Sequence, residues 1–167
     1  MKNIILAFLP FLLIACASKK GPAAFTEGKC RIESRCPDEG NCGFEVLKDK
    51  SLIIKSDGTG KPYYTLEDAP GKIVARYTYA AKSGKYQDDA YTEEVIFETD
   101  SELSNLHKSN PKDAKMLFGV HCFCRDKAGF YKVGKGLLDY QDNKLIIKLQ
   151  DNIVEGQKTD LVMVSFK

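Results

Sequence analysis

The chain has no tryptophan and only two histidines, His107 and His121, so a histidine-based catalytic arrangement has few options. Cys-x-x-Cys pairs, the usual spacing of zinc sites, are absent. So is the run of alternating oxygen ligands, glycine and closing glutamate that a calcium loop requires. Gly58-Thr59-Gly60-Lys61 has some of the letters of a phosphate loop, but position 55 is Lys where that motif needs its first glycine and no helix follows, so the segment reads as a turn. Charge of one sign is lacking too: 25 Lys plus Arg face 23 Asp plus Glu, a balance that gives nucleic acid nothing to attract. The apolar run at 4–15 is twelve residues with Pro10 inside it, against the about 20 that a membrane-spanning helix needs. These absences point away from an enzyme and assign no catalytic residue, no metal ligand and no cofactor. Repeats and low-complexity segments are not found.

What is present begins at the first residues. Lys2 precedes the apolar run and small residues close it, the layout of a secretory signal. Leu13-Ile14-Ala15-Cys16 resembles the lipobox of bacterial lipoproteins at all four positions. That resemblance implies cleavage before Cys16, a diacylglyceryl thioether on the Cys16 sulfur and acylation of the new amine. Three acyl chains would hold the protein firmly, since each buried methylene contributes about 0.8 kcal/mol and a single chain binds only marginally. Ala17 follows the cysteine, and the sorting preference of lipoproteins then implies the outer membrane of a cell that has one. Residues 1–15 are thus expected to be a signal, 16–28 a lipidated tether of small and polar residues, and 29–167 one β domain. Lys19-Lys20 fits a solubilising linker better than a headgroup-binding cluster.

Beyond the tether, apolar residues follow a period of two and turn signals recur at short intervals. The pattern predicts strands at 29–34, 44–48, 52–55, 73–79, 93–99, 116–124, 130–133, 144–150 and 161–166. Asp57-Gly58, Thr59-Gly60, Pro70-Gly71, Ser83-Gly84, Ala128-Gly129 and Asp142-Asn143 supply the punctuation. About nine short strands suggest an all-β antiparallel sandwich or small barrel. One short helix is expected from Asp100 or Ser101 to about Lys108, with Leu103 and Leu106 on one side and Asn110-Pro111 as the stop. In 116–124, Met116, Phe118, Val120, Cys122 and Cys124 share one face, and Leu117, Gly119, His121 and Phe123 the other.

With Cys16 assigned to lipid, five cysteines remain: Cys30, Cys36, Cys42, Cys122 and Cys124. A secreted compartment favours disulfides, and an odd number leaves one thiol unpaired or bonded to another chain. Residues two apart on a regular strand have Cα atoms about 6.6 to 6.8 Å apart, too far for a bond between Cys122 and Cys124. The expected arrangement is a local Cys36 to Cys42 bridge, with Cys30 meeting Cys122 or Cys124. In the alternative, Cys122 and Cys124 reach different N-terminal partners. The sharper reading is a metal or thiol-redox site, in which His121-Cys122-Phe123-Cys124 gathers soft ligands near the N-terminal sulfurs. His121 points to the opposite face from its neighbouring cysteines, which counts against it.

His107 and His121 read as structural or solvated. Asp88-Asp89 and Glu93-Glu94 are adjacent pairs, and neighbours on a strand face opposite ways, so neither makes an acid and base couple. Of eight tyrosines, Tyr77 and Tyr79 share a strand face, Tyr63 and Tyr64 lie close by in sequence, and Tyr86 and Tyr91 flank a polar loop. Strand packing accounts for them, unless Tyr63, Tyr64, Tyr77 and Tyr79 form an exposed patch for a glycan or protein. The three early cysteines, Cys122-Phe123-Cys124 and Gly129-Phe130-Tyr131-Lys132 resemble small outer-membrane lipoproteins of Gram-negative bacteria, a resemblance that transfers no functional residue. The sequence therefore predicts a lipid-anchored envelope domain with a binding or structural role. Its partners would be the membrane, through the anchor, and an envelope protein or glycan.

Overall fold

A computed structural model describes residues 15–18, 30–82, 90–101 and 103–167, with only the backbone at 15–18 and 104. The signal at 1–14, the Cys16 side chain, most of the tether, Ser83-Gly84, Tyr86 and the Asp88-Asp89 pair lie outside the described residues. The strands are β1 (Ala15–Ser18), β2 (Cys30–Ile32), β3 (Asn41–Ser56), β4 (Pro62–Ala80), β5 (Tyr91–Asp100), β6 (Leu117–Cys122), β7 (Gly129–Lys132), β8 (Gly136–Gln141), β9 (Lys144–Leu149) and β10 (Leu161–Phe166). Every pairing is antiparallel, in two sheets ordered β1-β3-β4-β5-β6-β7 and β2-β10-β9-β8. The fold is an all-β sandwich with open sheet edges, not a closed barrel.

Alternation builds the core. From the larger sheet Phe44, Tyr77, Val95, Phe97, Phe118 and Val120 face Ile32, Leu138, Leu145, Ile147, Val162 and Val164 of the smaller one, all buried in one cluster. Each such side chain contributes about 1.5 to 3 kcal/mol relative to exposure. Strand β8 has no counterpart among the expected strands, because the adjacent leucines and the aspartate in Leu137-Leu138-Asp139 blur its alternation. Only Leu138 of that pair is fully buried. The β8–β9 turn is Asp142-Asn143, both at positive φ (49° and 60°), which matches the twist of a two-residue hairpin.

The strands expected at 44–48 and 52–55 are one strand, β3, and Pro70-Gly71 lies inside β4 instead of ending it. Between the Lys48 to Ile73 and Lys50 to Asp68 pairings, β3 spends one residue and β4 four. That mismatch is a corner. Asp49 takes a φ of 54°, its carboxylate accepts the Gly71 N–H at 3.1 Å, and Gly71 takes a φ of 80° that glycine adopts without steric cost. Beyond the corner the hairpin lies over the outer face of the larger sheet. There Leu52, Val74, Ile96 and Leu117 make a second buried cluster, flanked by Leu47, Ile54, Tyr64, Leu66 and Phe130.

The expected helix is reduced to a 3-10 turn at Ser104–Leu106, entered through Leu103 at a φ of 60°. Asn110-Pro111 does not stop a helix but opens a second 3-10 turn, Pro111–Ala114, where the Asn110 side chain accepts the Lys112 N–H. Leu103 and Leu106 are buried, as their shared side implies. Burial of these two leucines is satisfied by a single tight turn, so no longer helix is needed.

Candidate functional site

The cysteines depart from expectation at one bond. Cys36 and Cys42 are joined across the 3-10 turn Pro37–Glu39, with Cα atoms 5.8 Å apart. This is the local bridge that the turn-rich loop predicts, and the chain-entropy model values its seven-residue ring at about 2.4 kcal/mol. Cys122 and Cys124, however, are bonded to each other, with Cα atoms 5.2 Å apart. The expectation against that bond assumed a regular strand through residue 124. Strand β6 ends at Cys122, and the chain bends at Phe123, which brings the two Cα atoms within bonding range. The long bridges from the N-terminal segment to Cys122 or Cys124 therefore do not form. Cys30 is disulfide-bonded as well, to a partner that is none of the other four, so the odd cysteine of the five is bonded and not a free thiol. In this oxidised state they offer a metal no thiolate. Among the described residues no group of three or more His, Cys, Asp and Glu is arranged to hold an ion.

The tyrosines do not form one surface. Tyr77 and Tyr79 lie in the inter-sheet core, each 1% exposed, with the Tyr77 hydroxyl 3.0 Å from the Cys42 sulfur. Tyr63 is exposed on the distal hairpin, and Tyr64, next to it, turns inward onto the larger sheet. The patch reading fails because residues 77 and 79 face the opposite sheet.

Tyr64 leads to a polar cluster that no sequence motif announces. Outward positions on neighbouring strands place Glu94 of β5 beside Gly119 of β6, which in turn pairs with Phe130 of β7. The Tyr64 hydroxyl donates to Glu94 Oε1 at 2.7 Å, and His121 Nε2 lies 3.3 Å from Glu94 Oε2. Phe130 packs edge-on against both rings, with centroids 5.1 Å from Tyr64 and 5.3 Å from His121. Gly119 makes room: a Cβ there would stand 2.5 Å from the Phe130 ring. Burial, then the hydrogen bond and charge of Glu94, push the Tyr64 hydroxyl up to about 12, against the opposing effect of Arg76. Arg76 is itself paired with Glu45. The arrangement is a half-exposed imidazole and a phenol held by one buried carboxylate, able to bind a polar group.

Glu93 and Glu94 do face opposite ways. Glu93 is fully buried between the sheets, where its carboxylate accepts the Lys158 and Thr159 N–H groups at 2.6 and 2.7 Å and the Tyr91 hydroxyl at 2.7 Å. It anchors the segment before β10. Glu98, on the outer face, accepts from Ser51 Oγ at 2.6 Å and the Leu52 N–H at 2.9 Å, and binds Lys72 and Lys115. Burial alone would raise the Glu98 carboxyl, but these hydrogen bonds together hold it at about 2.

At the end of the folded-over hairpin a cleft of about 280 Å³ lies between the β3–β4 turn and the β6–β7 loop, lined by Thr59, Lys61, Pro62, Asp126, Phe130 and Tyr131 among others. The turn is built as a turn. Asp57 Oδ1 accepts the Thr59 N–H, the Thr59 hydroxyl and the Lys61 N–H, so these amides are not free to cradle a phosphate. His107 lies elsewhere, with Nδ1 3.3 Å from Asp139 and 2.9 Å from the Gln141 amide at the surface. Comparison with protein-family models, curated proteins and solved structures finds no match to this chain.

Proposed function

We propose that the protein is a lipid-anchored domain of the cell envelope, with a binding or structural role and no catalysis of its own. The observation that carries the reading is the four-position lipobox Leu13-Ile14-Ala15-Cys16 at the end of a signal-like run. A disulfide-stapled β sandwich agrees with a compartment outside the reducing cytoplasm. The partner is an envelope glycan or protein. Its contact point is the cleft at the hairpin tip, where Phe130, Tyr131 and Pro62 offer apolar faces beside Lys61 and Asp126.

Two measurements on the full chain test the two parts. Cys16→Ser should abolish labelling by radioactive palmitate and shift the protein from detergent to aqueous phase. Unchanged partitioning, or recovery of wild-type Cys16 in a disulfide-linked peptide, overturns the anchor. A photo-crosslinking amino acid at Lys61 should then capture a discrete envelope component that the same group at Lys112 does not. Equal capture at both positions removes the cleft from the reading.

A further inference from the structure

The two mapped disulfides differ in what surrounds them. Cys42 is 3% exposed, lies under the Tyr77 hydroxyl and belongs to the main core. The Cys122–Cys124 bond instead runs from the last residue of β6 into the loop beyond it, astride Phe123, which is 90% exposed. Both of its cysteines are half-buried, and of the two only Cys122 packs against the core. The ring spans three residues, so opening it releases almost no chain, whereas opening the Cys36–Cys42 ring frees a turn that closes over the core.

From this placement we propose that Cys122–Cys124 is a thiol–disulfide exchange site, one that a dithiol reduces while the β sandwich stays folded. A thiolate of the dithiol attacks the Sγ of Cys124, the one of the two cysteines that does not pack against the core. The Cys122–Cys124 bond breaks and its electron pair leaves on Cys122, which takes a proton. The dithiol's second sulfur, deprotonated, then attacks the mixed disulfide and displaces Cys124 as a thiolate, which is protonated in turn. In balance, the dithiol is oxidised to its disulfide by two electrons, and Cys122 and Cys124 become two thiols. The exposed Phe123 between them gives a reducing partner an apolar foothold beside the reacting sulfurs.

The test is stepwise reduction of the oxidised full chain with dithiothreitol, trapping by iodoacetamide, and peptide mapping alongside far-UV circular dichroism. Cys122 and Cys124 should be alkylated at a dithiothreitol concentration at least about tenfold below that which opens Cys36–Cys42, with the β signal unchanged. Opening of both bonds together, prior opening of Cys36–Cys42, or loss of the β signal with the first alkylation overturns the proposal. The Cys122→Ser chain, given oxidised glutathione, should form a mixed disulfide at Cys124 about tenfold faster than Cys124→Ser does at Cys122. Equal rates, or the reverse order, overturn Cys124 as the point of attack.

Discussion

Removing the Glu98 carboxylate should unlatch the folded-over hairpin. This side chain is the one polar group on β5 that holds Ser51, the Leu52 N–H, Lys72 and Lys115 together, and Leu52 directly beside it is fully buried. Its folded pKa, about 2, is below the ordinary 4.5, so the carboxylate contributes stability that is fully present above about pH 5.5. That contribution fades as pH falls through 4.5 and is lost as pH falls through about 2. The full difference corresponds to about 3 kcal/mol, and the half-exposed Lys72 and Lys115 are screened by solvent, which reduces it to about 2. Glu98→Ala also leaves the buried Leu52 N–H without its acceptor, at a cost of about 1 to 3 kcal/mol. The summed loss near pH 7 is about 3 to 5 kcal/mol, or a fall in Tm of roughly 6 to 20 °C for a domain of this size. Thermal melts by circular dichroism at pH 7 and pH 2.5 read both terms. The gap between wild type and variant should narrow by about half at the lower pH, and amide exchange at 50–68 should quicken in the variant. A melt within 2 °C of wild type at pH 7, or a gap that does not change with pH, would refute the latch.

Glu93→Ala should cost about 3 to 5 kcal/mol, because it strands the buried Thr159 N–H, the part-buried Lys158 N–H and the Tyr91 hydroxyl; urea unfolding measures it, and a loss under about 1 kcal/mol would show that the carboxylate is not the anchor. Gly119→Ala should displace the Phe130 ring and cost about 1 to 3 kcal/mol, seen as shifted Phe130 and Tyr64 aromatic resonances. Unshifted resonances would mean that the close approach at Gly119 is not maintained. Tyr64→Phe removes a donor to Glu94 while keeping the ring, so a loss of about 1 kcal/mol is expected, against 3 kcal/mol or more if the hydroxyl supported the whole cluster.

The fold class was legible because a β-strand writes its two faces into alternate residues. Phe118 and Val120 lie in the main core and Leu117 on the outer face, as the alternation at 116–124 implies. Asp142-Asn143 announced a tight turn through residue chemistry alone. The corner at Asp49 was not legible in the same way, since Pro70-Gly71 signals a turn without saying whether a strand ends there or bends and continues. The candidate site was least legible. Tyr64, Glu94, His121 and Phe130 come from three hydrogen-bonded strands and a hairpin folded across them, and no linear spacing relates them.

The cysteines draw the same boundary. A short turn-rich loop between Cys36 and Cys42 was enough to predict their bond, because closing a small ring is a local matter. Whether Cys122 can reach Cys124 depends on where β6 stops, and that is decided by how far its neighbour β5 extends: Tyr91, the first residue of β5, pairs with Cys122. By itself the sequence determined the strand periodicity, the turn chemistry and the balance of charge, each a property of residues near one another in the chain. Only the tertiary structure decided the bend of the long hairpin, the polar groups it covers and the end of β6, because each depends on which strand lies alongside.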